Sequence, residues 1–194
     1  MNIRISKSWE WQSGIVLDSE FAINTYTVSV EMLTKDDNEL GHRRAMERQH
    51  WWFQNVMQDA VLMEYDNPLK EAYETTGQRI LSLPYTPVDH VILIMLYCKL
   101  NAIMEQNLVV TQIHLSSILG DGVVYSFSQD DDLMGFSLDG WWCEPSPIWA
   151  NSLPQIRPDH VISIDRQPDW HDLGLAWYPH NDDSSVVEFH NGKK

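Results

Sequence analysis

Basic residues are scarce in this chain. Only 13 Lys and Arg stand against 28 Asp and Glu, a formal net charge of −15 over 194 residues. Extended contact with nucleic-acid phosphates or anionic lipid needs Lys and Arg, so direct nucleic-acid binding is the least favoured function, and a membrane surface is disfavoured with it. Cysteine is nearly absent too. Cys98 and Cys143 are far apart in sequence with no CxxC spacing, and Cys98 sits in an apolar run, where a thiol reads as a small buried hydrophobe. No long apolar run exists: the most apolar stretch, 91–100, is interrupted by Lys99 and followed by Asn101, well short of the ~20 residues of a membrane span. The first ten residues, MNIRISKSWE, lack the basic-then-apolar order of an export signal, and no Asn occurs as N-x-Ser/Thr. The expected setting is a reducing cytoplasm. Also missing are the G-x-S-x-G elbow, the phosphate-binding GKS/T loop and the dinucleotide G-x-G-x-x-G, which removes the common enzyme classes those motifs mark.

Apolar residues make up 43% of the chain and aromatics 11%, enough for one domain with a substantial core. Residues 21–33 alternate, with Tyr26, Val28, Val30 and Met32 on one side and Thr25, Thr27, Ser29 and Glu31 on the other, which predicts a half-buried strand. After a polar turn at 35–41, a stripe of Met46, Phe53, Val56, Met57, Ala60 and Met63 predicts a helix over 42–65. Asn67-Pro68 opens a short helix that Gly77 stops. Thr86-Pro87-Val88-Asp89 is a start signal with Thr as cap, for a buried helix over 91–104. Residues 108–115 and 123–127 predict an antiparallel hairpin through Gly120-Asp121-Gly122.

Beyond Ser128 the composition changes. Residues 100–192 hold 14 acids and two bases, and prolines 145, 147, 154, 158, 168 and 179 leave room only for short strands. The fold class is therefore α+β: a small mixed or antiparallel sheet packed by two main helices over 1–128, then a Pro/Trp-rich irregular extension over 129–194, wrapped on its own core or on a neighbouring subunit.

Metal chemistry has one cluster to offer. Asp169, His171, His180, Asp182 and His190 are ligand types suited to zinc or another divalent transition metal, although their spacing matches no metalloprotein signature and a solvated acidic loop explains them as well. His42 and His50 stand eight residues apart, about 12 Å of helical rise, and cannot chelate one ion alone. Asp130-Asp131-Asp132 lacks the glycine and distal glutamate of a calcium loop. Pro158-Asp159 with Asp165 approaches a nuclease acidic pair, but Gln167 stands where a lysine is wanted. His114-Leu115-Ser116 has the His-x-Ser form of two-histidine phosphodiesterases without a second copy. Asp89-His90-Val91-Ile92 returns as Asp159-His160-Val161-Ile162, a four-residue echo in two different contexts.

Tryptophan is plentiful, with nine residues. Some must seal the core. Trp9, Trp11, Trp141, Trp142 and Trp149 are the candidates for anchors in a protein interface, a role Trp often takes, with Asp130, Asp131 and Asp132 supplying charge beside them. The stretch VILIMLYCKLNAIMEQNLVVTQIHLSSILGDGVVYSF (91–127) followed by DGWW (139–142) resembles small acidic proteins of unknown function from large tailed bacteriophages. The resemblance covers about a quarter of the chain and implies a phage accessory or virion context, with no catalytic residues to transfer. The function expected is a non-enzymatic interaction protein whose acidic face steers a basic partner surface, with homo-oligomeric self-assembly as a second form. A phage structural component and a host-factor inhibitor both fit, the latter including acids of 130–188 mimicking nucleic-acid phosphates. Two alternatives stay open: a metal-dependent hydrolase using the Asp169 to His190 cluster, and a small-molecule pocket lined by Trp and Tyr. No cofactor is expected beyond that metal.

Overall fold

The computed structural model describes residues 3–35, 37–133, 136 and 140–145. It is an α+β fold, a six-stranded mixed sheet in the order β4-β3-β1-β2-β5-β6 with three helices. Two long strands form its spine, β1 (Arg4–Leu17) and β2 (Glu20–Thr34), antiparallel along their whole length. Their two-residue turn puts Asp18 at φ 55°, a left-handed conformation that a short Asp side chain tolerates. The alternation seen in 21–33 is the pleat of β2: Tyr26, Val28, Val30 and Met32 are fully buried. Opposite them in register lie Trp11 and Trp9 of β1, and Leu115 and Ile113 of β5 (Leu108–Ser117). β6 (Val124–Ser128) closes this side, after a turn in which Asp121 and Gly122 both have positive φ, as the Gly-Asp-Gly sequence predicts.

The other half of the sheet is built differently. β3 (Val61–Glu64) runs parallel to β1, and β4 (Ile80–Leu83) parallel to β3. Here the expected helix over 42–65 is corrected. α1 covers Glu39–Trp52 and continues as one π-helical turn over Phe53–Met57; Asp59 then takes φ 61° and the chain enters β3. A short, wholly apolar run has no period of its own, so Ala60 to Met63 fits a helical stripe as well as a strand buried on both faces.

α1 and α3 (Asp89–Ile103) pack one face of the sheet in a single core with Trp9, Trp11, Tyr26 and Trp52. α2 (Lys70–Thr75) covers a smaller cluster of Val16, Val61, Met63 and Ile80 through Leu69 and Tyr73. α3 is buried nearly all round, as its composition predicts. Its cap is not Thr86: Val88 occupies that position without a side-chain bond, and the Thr86 hydroxyl donates instead to Glu64 Oε2 at 3.2 Å. Asp89 does stand in the first turn, where its carboxylate accepts a hydrogen bond from Ser117 Oγ at 2.7 Å. No helix among the described residues is long and apolar enough to cross a membrane.

Candidate binding cleft at the ends of β3 and β4

Parallel strands end together. β3 and β4 are paired through Glu64 and Leu83, and the chain leaves them as Tyr65-Asp66 and Pro84-Tyr85-Thr86. Beside these exits lies the segment 140–145, held by three kinds of contact. The Trp141 indole N–H donates to the Ser82 carbonyl at 2.8 Å, satisfying an acceptor of the terminal strand β4. Lys99 Nζ, reaching from α3, donates to the carbonyls of Trp141 at 3.0 Å and Glu144 at 2.8 Å. Trp142 turns inward, edge-on to Phe136 with ring centroids 5.2 Å apart, and only 7% of it is exposed.

Two adjoining hollows result, with Glu64 in the wall of both. One, of about 440 Å³, is bounded by Tyr65, Asp66, Trp141 and Trp142. The other, of similar volume, lies toward α3 and is bounded by Tyr85, His90, Ile94 and Phe136. Among the described residues, no Lys or Arg lines either one. Aromatic faces with carboxylates at the rim form a receptor for a cation, since the ring quadrupole and the carboxylates both attract positive charge. The wall already shows that preference internally: Lys70 Nζ sits 4.5 Å from the Tyr65 ring centroid.

Two titratable groups near the segment have displaced pKa values. Burial pushes the Lys99 ammonium down to about 7, although Glu144 and Cys143 favour its charged form. The same cause pushes the Cys98 thiol up to about 12, and its neighbour Cys143 adds to the rise. Lys99 thus holds the segment by hydrogen bonds to neutral carbonyls; its nearest carboxylate neighbour, Glu144, is exposed.

The sequence-predicted site residues divide into four groups. Trp141 and Trp142 come to the cleft, as its wall and not as protruding anchors, because each is packed in cis. Trp9 and Trp11 are corrected. They point inward from β1, 8% and 3% exposed, stacked on Phe53 at 4.9 Å and Tyr26 at 5.1 Å, so the core takes the apolar area an interface would have used. Asp130, Asp131 and Asp132 are exposed past the end of β6 and line neither hollow; Asp131 Oδ2 accepts from the Ser128 N–H at 2.7 Å and acts as a local turn cap. Trp149, Asp169, His171, His180, Asp182 and His190 lie outside the described residues, among which no three His, Cys, Asp or Glu gather to hold a metal. His114 on β5 meets Ser126 across the strand pair at 2.7 Å, the cross-strand polar contact that its setting predicts.

Glu64, Tyr65, Asp66 and Lys99 were missed in sequence. The acid–aromatic–acid triplet before Asn67-Pro68 was a usable signal, but the helical stripe absorbed it. A lone lysine inside an otherwise apolar helix was the other.

No protein-family model matches the chain, and no curated protein matches it. Among solved structures, it is similar to the crystal structure of an uncharacterised protein from Wolinella succinogenes, at 9% identity and a TM-score of 0.46, over 67% of this chain and 99% of that one.

Proposed function

We propose that the protein is a non-enzymatic binding protein that takes a Lys or Arg side chain of a basic partner protein into the cleft at the ends of β3 and β4. The observation that carries this reading is the pairing of Glu64 and Asp66 with the Tyr65, Trp141 and Trp142 rings around one hollow that no Lys or Arg among the described residues lines. The chain's net charge of −15 works in the same direction at long range, speeding encounter with a basic surface and repelling acidic ones. A cytoplasmic setting, host cell or virion, goes with the resemblance to phage proteins, as do the structural and inhibitor roles. The metal-hydrolase reading rests on residues outside the described ones, and no described contact favours it.

The test is titration of the full chain with short Arg- and Lys-rich peptides and an acidic control, followed by tryptophan fluorescence. Basic peptides bind, and the double substitution Glu64→Gln with Asp66→Asn weakens them roughly tenfold, as expected for two charge-assisted contacts worth about 1.4 kcal/mol together. Trp141→Phe keeps a ring but loses the indole N–H, and it lowers affinity less. Equal binding of basic and acidic peptides, or affinity indifferent to Glu64 and Asp66, would overturn the reading.

A further inference from the structure

The segment 140–145 carries a second feature, on its side facing α3. Cys143 belongs to the short 3-10 turn Trp141–Cys143, and Cys98 to α3 one residue before the lysine that fastens that turn. Cys143 is a near enough neighbour of the Cys98 thiol to help raise it. Lys99 fixes the turn on both sides of Cys143, by the carbonyls of Trp141 and Glu144, while the Trp141 indole ties it to β4 and Trp142 plugs it into the core. Cys143 therefore cannot slide along α3 without breaking several contacts at once. Gly140 fits the same arrangement: a Cβ there would run into the Trp142 ring, so the turn approaches its own tryptophan too closely for any side chain. Both cysteines are partly exposed, and no third cysteine exists in the chain to compete.

We propose that Cys98 and Cys143 are a reversible disulfide-forming pair, oxidised by a low-molecular-weight disulfide of the glutathione class, that locks the 140–145 turn onto α3. The exchange is balanced. Cys143 loses its proton and attacks the small disulfide, giving a mixed disulfide and one small thiol. Cys98 then loses its proton and attacks the Cys143 sulfur, forming the protein disulfide and releasing the second small thiol. Two protein thiols are oxidised by two electrons, and one small disulfide is reduced to two thiols. Burial raises the Cys98 thiol, so its attack on the Cys143 sulfur is the slow step. The bond would close the loop from residue 98 to 143, constraining the unfolded chain. At the cleft it fixes the Trp141 and Trp142 wall; that consequence alone rests on the proposed function.

The experiment equilibrates the full chain in buffers of graded reduced-to-oxidised glutathione ratio and reads intact mass, free thiols and Tm. The expected product has lost two hydrogens and both free thiols, carries no glutathione, and melts roughly 5–10 °C higher. Cys98→Ser and Cys143→Ser each abolish that product, and the Tm rise with it. A wild-type chain that stays a dithiol at every ratio, or that accumulates stable glutathione adducts instead, overturns the proposal. Basic-peptide affinity measured on both redox forms separates the two readings. A disulfide with unchanged affinity removes only its coupling to the cleft, and a disulfide in a chain that binds no basic peptide supports the pair while sinking the proposed function.

Discussion

The two halves of the sheet solve the same burial problem in opposite ways. The half made by β1, β2, β5 and β6 is antiparallel, with strands of up to 15 residues, and its outer face is a set of polar rungs such as Ser8, Ser29, His114 and Ser126. Most of its cover is on the inner face, where α1 and α3 give it; on the outer face α2 reaches only the β1 end at Val16. The half made by β3 and β4 is parallel, four residues per strand, and Ile80, Leu81, Ser82 and Leu83 of β4 are all buried. Parallel strands must be covered on both faces. α2 covers part of one, while the turn at 140–145 seals the free edge through Trp141. The long half is a self-contained platform. The short half depends on pieces brought from elsewhere, and the cleft opens where those pieces meet the strand ends.

That dependence makes the short half the easier one to break. Leu81 carries β4 into the main core and is fully buried there, and Leu81→Ala is expected to cost about 2–5 kcal/mol in urea denaturation, the range for emptying a site that cannot collapse. A cost under about 1 kcal/mol would mean that β4 is not part of the cooperative core.

The same contrast decides what was legible in sequence. β2, β5 and β6 were readable because one wet face and one dry face write period two into the residues, and the Gly-Asp-Gly turn marks its own positive φ. β1 was half readable: Trp9 and Trp11 share a side of an extended segment, but nothing local says that the side is the core. β3 and β4 were not readable, since Val61-Leu62-Met63 and Ile80-Leu81-Ser82-Leu83 carry no alternation, and their pairing partners are supplied by the fold. The cleft inherits that opacity. Its acids, Glu64 and Asp66, end and follow a strand whose residues fit a helical stripe, and its Trp wall belongs to a turn whose docking is set by Lys99, 42 residues earlier than Trp141.

A smaller effect comes from Lys99, and its sign can be worked out. The folded pKa of about 7 lies below the unfolded ~10.4, so above pH 7 the unfolded chain binds more protons than the folded one and stability rises with pH. Above about pH 8.5 the raised Cys98 thiol, and above about pH 10 the raised Tyr26 phenol, work the other way, because there the folded chain holds the extra proton. Stability under reducing conditions is therefore expected to climb by on the order of 1–2 kcal/mol between pH 7 and 8.5. Lys99→Met should flatten that climb while leaving the fall at higher pH. A wild-type profile that is flat or falling from pH 7 to 8.5 would show that the lysine stays charged in place, with the segment bound less tightly than its hydrogen bonds imply.

The smallest effect belongs to the outer face of the long half, and it tests the premise of the comparison. Ser29 sits mid-strand between Ser8 and His114, on a face that α1 and α3 do not reach. If water covers that face, Ser29→Ala removes a solvated hydroxyl and adds nothing buried, and the change stays within about 0.5 kcal/mol. If another protein surface covers it, the hydroxyl is desolvated and its loss orphans a partner, at a cost nearer 1–3 kcal/mol. Measured at two protein concentrations tenfold apart, the substitution distinguishes the cases: a small, concentration-independent change means an open polar platform, whereas a larger cost that grows with concentration means that the platform, and not the cleft alone, is where copies of this chain meet.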